Sequence, residues 1–307
     1  MKKLMMLFFS MFLIFSLIFS NGVMALEDIQ DDQARDYEVV TQEDGVFYKI
    51  SNENGVRMER SFVTVFDGHK VTTMTKAEYD SSFVSNNVSN EGSITWNVVM
   101  DSTGGKMEYG YRITSITGKK PKTLKMTVSP QTGDYRYGNF AQYGSADFKI
   151  SGNDIRVGKT GTKVDRIYST RYWKFKLESE AEWSSGHFTR WQDFGNNYVV
   201  LLNKKGVEYP KYRDPQSGII LIEPNANLPV NPQKRGHRYR EDLMEHYEKN
   251  YGKPTRFSWS DVEIHHMTPL KYGGSNGVYN LIPLWKGRVG SNGVLGHRTV
   301  HDWWDYY

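Results

Sequence analysis

Histidines gather near the end of this chain. Four of its eight histidines lie there, as the adjacent pair His265-His266 and as His297 and His301, which are four residues apart. Two histidines four apart on a helix project from one face and can bind one metal ion together. A third imidazole, from the adjacent pair, completes a three-histidine site with room for water or substrate. The pattern therefore predicts a site for one divalent metal ion.

The two pairs need different elements to position them. Neighbouring side chains on an extended strand point to opposite sides, so one of His265 and His266 can bind metal while the other faces a substrate. Asn280 lies between the two pairs, just before the apolar Leu281-Ile282. We therefore expect a strand at the adjacent pair and a helix at His297.

The ordered set His-His, Asn, His-x-x-x-His within residues 261–307 resembles the HNH motif of the ββα-metal nucleases, in particular the DNase domains of nuclease bacteriocins such as the colicins. The resemblance implies two short strands and a helix around one divalent ion. It assigns three metal ligands, a general base that activates water, a loop-bracing amide and a supporting carboxylate: His265, His297 and His301; His266; Asn280; and Glu263. The stretch between Asn280 and the helix is longer than in colicins, with a Gly-rich insert.

Phosphodiester cleavage needs a nucleophile, relief of charge in the transition state and help for the departing oxygen. A divalent ion bound by neutral imidazoles keeps its charge and supplies the last two. An unligated His266 has a pKa range suited to taking a proton from water. We expect its other ring nitrogen to bond a backbone carbonyl in the loop that Asn280 braces. Arg235 or Arg238, in the basic cluster 234–240, is expected to clamp a phosphate oxygen.

Two other classes of protein use similar histidines. The spacer after His297 is Arg-Thr-Val, so the glutamate base of the HExxH zinc peptidases is absent. A non-catalytic, metal-stapled module that binds DNA or the cell wall closes all four metal positions and has no use for a fourth, unligated histidine. The motif therefore favours a nuclease, and His266 separates the nuclease from the stapled module.

The first residues are typical of an export signal. Lys2 and Lys3 precede an apolar run from Leu4 to Phe19, and Val23-Met24-Ala25 offers a cleavage site. The run is shorter than the roughly 20 residues of a spanning helix, although an uncleaved anchor stays open. We expect a bacterial protein secreted by a Sec-type signal and cut after residue 25. The chain has no cysteine, which excludes thiolate ligands and disulfides.

Charge is unevenly distributed along the chain. Residues 27–44 carry eight acids against one arginine, whereas residues 102–177 carry fifteen Lys and Arg against five acids. The basic region raises the hypothesis of an anionic polymer as partner, either the bacterial cell wall or DNA, although solvated charge is the more common state of strand surfaces. The alternative is that these lysines only cover the polar faces of strands and protect sheet edges.

Composition and residue patterns divide the chain into a signal peptide at 1–25, an acidic flexible lead-in at 26–45, a strand-rich domain at 46–205 and a nuclease domain at 206–307. Runs of β-branched and aromatic residues predict strands, and Asp67-Gly68 predicts a hairpin with a two-residue turn. These strands are 61–66, 69–74, 94–100, 107–116, 124–128 and 172–177. A stripe of aromatic and leucine residues every four positions predicts a helix at 238–251.

The sequence therefore predicts an α+β protein: a β-sandwich or barrel-like domain followed by a ββα-metal HNH nuclease domain. The expected function is cleavage of DNA with little base readout, and RNA stays open as a substrate. Three histidines suit zinc or nickel, and the open positions also accept magnesium. Two biological roles stay open: an antibacterial toxin, which needs an immunity protein in the producer, and an extracellular scavenging nuclease, which does not.

Overall fold

The computed structural model describes residues 47–52, 54–85, 91–195 and 198–307. The expected export signal at 1–25 and the acidic lead-in at 26–45 lie outside these residues. Within the described ranges, no helix is both long enough and apolar enough to cross a membrane.

Alternating polar and apolar side chains build two six-stranded antiparallel sheets. In the first sheet, β2 pairs along one edge with β4, and β1 and β3 share its other edge. The strands of this sheet are β1 (Phe47–Asn52), β2 (Gly55–Phe66), β3 (Val71–Thr75), β4 (Gly92–Thr103), β5 (Lys106–Gly118) and β9 (Thr160–Arg166). The second sheet contains β6 (Thr123–Gly133), β7 (Ala141–Gln142), β8 (Ala146–Ser151), β10 (Arg171–Glu182), β11 (Phe188–Asp193) and β12 (Val200–Leu202).

The inner faces of both sheets contribute to one hydrophobic core. Phe62 and Trp96 of the first sheet stack at 4.9 Å between ring centroids, and Trp173 of the second sheet is also fully buried. This arrangement is a β-sandwich, which confirms that the region before residue 205 is strand-rich.

The strands at 94–100, 107–116, 124–128 and 172–177 are confirmed, and each is longer than predicted. The predicted hairpin also forms, but its two-residue turn is wrong. Four residues, 67–70, separate β2 from β3, because the Asp67 carboxylate accepts hydrogen bonds from the backbone N–H groups of His69 and Lys70.

A helix in the strand-rich region was missed by the sequence analysis. Helix α1 (Lys76–Ser85) follows β3 directly and begins with a capping box. The Glu78 carboxylate accepts the Thr75 N–H at 2.7 Å, and the Thr75 hydroxyl accepts the Glu78 N–H at 3.2 Å. The Thr-x-x-Glu sequence was the available indication.

The C-terminal part contains two α-helices and one hairpin, which are α2 (Tyr239–Tyr251), β13 (Val262–His266), β14 (Leu281–Trp285) and α3 (His297–Trp304). A short 3-10 helix, Val278–Asn280, directly precedes β14. The predicted helix is confirmed and begins one residue later than expected. Leu243 and Tyr247 form its buried stripe, and Gly252, at φ 80°, ends it.

The sandwich and the C-terminal part are joined by direct hydrogen bonds around the turn after β12. Asn203 is buried, and its amide N–H donates to the Trp303 carbonyl at 3.1 Å. The Asn203 side-chain oxygen accepts the N–H groups of Lys205 and Val207. A second bridge lies nearby, where Arg136 binds both carboxylate oxygens of Glu223. The predicted domain boundary at residue 205 therefore lies in a turn that side-chain hydrogen bonds hold in place.

We expect Asn203→Ala to lower the free energy of unfolding by about 3 kcal/mol, because one buried and two partly buried backbone groups lose their partner. Chemical denaturation monitored by tryptophan fluorescence measures this loss. The control is Asn250→Ala, which removes an exposed amide from α2 and should change stability by less than about 0.5 kcal/mol. Equal effects of the two substitutions would contradict a fastening role for Asn203.

Candidate metal and catalytic centre

The adjacent histidines lie on β13, which is buried on both faces. In the antiparallel register His265 lies opposite Ile282 and His266 opposite Leu281. Ile282 packs with Val300 and Trp303 of α3, whereas Leu281 packs with Leu243 of α2. Since paired residues share a face, His265 points toward α3 and His266 points toward α2. The two imidazoles therefore stand in separate environments, although they are neighbours in sequence.

On the α3 side, His265 faces the first turn of the helix. Its ring centroid lies 5.1 Å from that of His297, which in turn lies 5.7 Å from that of His301. His265 is only 7% exposed, and its Nε2 atom has no hydrogen-bond partner among the described residues. A buried ring nitrogen without a hydrogen-bond partner destabilises the fold, and coordination of a metal ion would satisfy it.

Helix α3 is held by apolar packing rather than by a side-chain cap. Trp303 packs edge-to-face on Tyr209 at 4.7 Å between centroids, and its indole N–H donates to the Val207 carbonyl at 2.9 Å. Trp304 stacks on Tyr272. The aromatic residues at the end of the chain therefore orient the helix that carries His297.

The Gly-rich insert before α3 folds back on the start of the helix. A Cβ atom at Gly296 would come within 1.9 Å of the Arg288 carbonyl oxygen, so the backbone approaches closely there. Thr299 Oγ1 donates to the same carbonyl at 3.0 Å. The insert thus fixes the first turn of α3, where His297 lies.

Burial and mutual repulsion keep the facing histidines neutral. Loss of hydration, followed by the charges of His297 and His301, lowers the pKa of His265 to about 3. Burial and the nearby His301 also lower the pKa of His297. The neutral imidazole is the form that binds a metal ion, so both side chains match a ligand role at neutral pH.

His301 differs from these two side chains. It is about half exposed, and its Nδ1 atom lies 3.7 Å from the Asp305 carboxylate. Among the described residues, the ligand atoms that lie within 4.8 Å of one another belong to His301, Asp302 and Asp305, not to the three histidines. The structure therefore brings His265 and His297 together and places His301 beside them, turned toward an acidic neighbour.

Glu263 lies on the same face of β13 as His265, two residues earlier. It is exposed, and its negative charge acts to raise the pKa of His297. The carboxylate therefore lies near the facing pair, where the resemblance expects a supporting group.

Asn280 closes the loop between the two strands. Its side-chain oxygen accepts the Thr268 N–H at 2.8 Å, and its amide N–H groups donate to the carbonyls of Thr268 and Ser275, each at 2.9 Å. The two bonds to Thr268 join the chain just after His266 to the chain just before β14, and the bond to Ser275 holds the middle of the loop. The amide therefore ties down the loop at both of its ends.

The partner of His266 is not the backbone carbonyl that the sequence analysis expected. Nε2 of His266 lies 3.1 Å from Oδ1 of Asn276, a side chain in the braced loop. The ring also packs on Tyr239 of α2, at 5.1 Å between centroids. Asn276 was missed because its polar turn, Gly-Gly-Ser-Asn-Gly, predicts a loop and nothing more specific.

Comparisons with protein-family models, curated proteins and solved structures found no match. Function is therefore inferred from the residues of this chain alone.

The two arginines proposed as phosphate ligands occupy different positions. Arg235 lies over the ring of Tyr239 and donates to its hydroxyl at 3.0 Å, and its charge helps to lower the pKa of His266. Arg238 instead contacts Asp242 and Glu245 along α2, at 3.5 and 3.3 Å. Of these two arginines, Arg235 is thus the one beside His266.

Metal binding can be tested by removing one ligand at a time. We expect His265→Ala and His297→Ala each to weaken Zn²⁺ binding by about 100-fold in isothermal titration calorimetry, since a ligand is lost. The control is His237→Ala, at an exposed histidine, which should leave affinity unchanged. Weaker binding in Asp305→Asn together with unchanged binding in His265→Ala would place the ion at the acidic cluster instead.

The loop brace can be tested without a metal. We expect Asn280→Ala to speed hydrogen exchange at the Thr268 amide by about 10-fold or more, because that N–H loses its acceptor. The exchange of amides in β10 should stay unchanged, which controls for global destabilisation. Protection that persists at Thr268 would argue against the brace.

Proposed function

We propose that this chain is a metal-dependent endonuclease that hydrolyses DNA phosphodiester bonds through an HNH-type, ββα-metal site. The observation that carries the proposal is that the two histidines of β13 lie in different surroundings. His265 faces His297 with a buried nitrogen left unpartnered, while His266 stands apart on the other face with its own hydrogen-bond partner. A purely structural metal site has no use for such a histidine.

Residues of this chain would bind the metal ion and activate the water that attacks the phosphodiester. His265, His297 and His301 would hold the ion, and Glu263 would support His297 from beside it. When bound, a divalent ion supplies charge relief to the phosphate and to the departing oxygen. His266 accepts the proton of the attacking water, as its unligated nitrogen permits.

Substrate contact falls to the segment before α2. Arg235 is exposed and lies beside the Tyr239 ring that covers His266. Its planar guanidinium can donate two hydrogen bonds to one phosphate. Phosphate contacts of this kind position nucleic acid without reading its bases, which supports low sequence specificity. RNA stays a candidate substrate for the same reason.

The sandwich contributes less clearly to substrate binding. Of its fifteen basic residues in 102–177, at least seven form ion pairs with acidic side chains. Others, such as Arg112 and Lys149, lie on the outer faces of different sheets. This distribution favours the strand-surface interpretation, and a cell-wall or DNA partner for the sandwich stays a prediction. Secretion and the choice between toxin, with its immunity protein, and scavenging nuclease stay predictions as well.

The proposal can be tested with the mature protein from Leu26 and its His266→Ala variant. Each is freed of metal with a chelator and incubated with supercoiled plasmid or RNA, and Mg²⁺, Zn²⁺ or Ni²⁺ is then restored. We expect the wild type to nick the plasmid only with metal. The variant should bind metal with unchanged affinity and cut at least about 100-fold more slowly, because the general base is missing. His237→Ala serves as the matched control and should cut normally.

Two outcomes would overturn the proposal. If the wild type cuts neither DNA nor RNA with any of the ions, the histidines act as a metal staple in a binding module. If His266→Ala cuts as fast as the wild type, water is activated elsewhere and the roles of the two histidines on β13 must be exchanged or abandoned.

A further inference from the structure

Asn276 makes two hydrogen bonds that together fix which way its amide points. Its nitrogen, Nδ2, donates to the Lys234 carbonyl at 2.8 Å, and its oxygen, Oδ1, lies 3.1 Å from Nε2 of His266. A backbone carbonyl can only accept, so the atom facing Lys234 must be the nitrogen. The atom facing His266 is therefore the oxygen, which also can only accept.

This geometry determines which ring nitrogen of the neutral imidazole carries the hydrogen. Because Oδ1 of Asn276 needs a donor, Nε2 of His266 must carry a hydrogen, and the lone pair of the neutral ring is then on Nδ1. We infer that Asn276 is a positioning residue that holds His266 in its Nε2–H tautomer and leaves Nδ1 as the nitrogen that accepts the proton from water. The catalytic part of this inference rests on the proposed function.

Asn276 is itself held by the chain on two sides. A Cβ atom at Gly236 would lie 3.3 Å from Cγ of Asn276, so the amide packs directly on the backbone of the segment before α2. On the other side, the carbonyl of Ser275, the preceding residue, accepts a hydrogen bond from Asn280. Tyr239 covers the imidazole from α2. The amide therefore has little freedom to rotate away from His266.

The proton balance is consistent with a fixed amide. As the water oxygen attacks phosphorus, one of its O–H bonds breaks and the proton passes to Nδ1, while the bond from phosphorus to the departing oxygen breaks. The departing oxygen takes a proton from solvent, and His266 later releases to solvent the proton that it accepted on Nδ1. Nε2–H donates to Asn276 in both the neutral and the protonated ring, so the amide does not need to turn during the reaction.

The experiment compares three variants with the wild type. Asn276→Leu keeps the shape and removes the acceptor, Asn276→Asp keeps an acceptor oxygen, and Asn250→Leu removes an exposed amide at the far end of α2 as a matched control. The tautomer of His266 is measured by long-range nitrogen–proton NMR on protein labelled with ¹⁵N-histidine. The resonances are assigned by their loss in His266→Ala. Plasmid cleavage is measured with saturating metal.

We expect Nε2–H in the wild type, in Asn276→Asp and in the control. Asn276→Leu should give a mixture of tautomers and lower kcat by about 10- to 100-fold, with KM changed by less than about twofold, as is typical when a side chain that orients a catalytic group is lost. Asn276→Asp should recover kcat to within about tenfold of the wild type. Rescue by aspartate separates positioning from a purely structural role.

The inference is overturned if wild-type His266 carries its hydrogen on Nδ1, or if Asn276→Leu keeps both the tautomer and the rate. Failure of the proposed function gives a different result. A wild type that cuts no nucleic acid but shows the Nε2–H tautomer, lost in Asn276→Leu, would keep the role of Asn276 in orienting the ring while removing its role in cleavage. Misfolding of Asn276→Leu would show in its unfolding curve, and the tautomer of His266 in the wild type would then decide.

Discussion

The candidate site depends on one constraint: the β13–β14 hairpin is covered on both faces. Ile264 and Leu281 pack against α2, and Ile282 and Leu284 belong to the cluster that includes Val300 of α3. A two-stranded hairpin has little stability of its own, so it needs these two apolar contacts. Because a different helix covers each face, the adjacent residues His265 and His266 lie in different surroundings.

The two helices are in turn positioned by contacts outside the hairpin. Helix α3 is anchored through Trp303 to Val207 and Tyr209, immediately after the last strand of the sandwich. Helix α2 is anchored through the Tyr247 hydroxyl, which donates to the buried carboxylate of Asp214 at 2.8 Å. The sandwich and the segment at 207–228 therefore form the scaffold of the site, because they set where both helices lie relative to β13.

Electrostatics separate the inner part of the site from its exposed rim. His265 is deeply buried, and the burial that lowers its pKa also keeps it neutral. His301, Glu263 and Arg235 are at least partly exposed and carry or meet charge. In the proposed site, the buried His265 and the partly buried His297 would bind the cation, and the exposed Arg235 would meet the anionic phosphate.

The sequence by itself indicated the candidate histidines of the site, the type of most elements and the helix stripe at 239–251. These features come from local patterns: period two in the strands, period four in the helix, and histidine spacing that only one face of a helix can use. It did not determine the four-residue turn at Asp67, because a side-chain hydrogen bond, rather than the Asp-Gly pair, sets that turn.

Only the tertiary structure decided which groups meet across the chain. It paired His266 with Asn276, packed Tyr239 of α2 on the same imidazole, and brought His265 to face His297. These contacts depend on where distant segments come together in the packed chain, and no spacing within one segment encodes that distance.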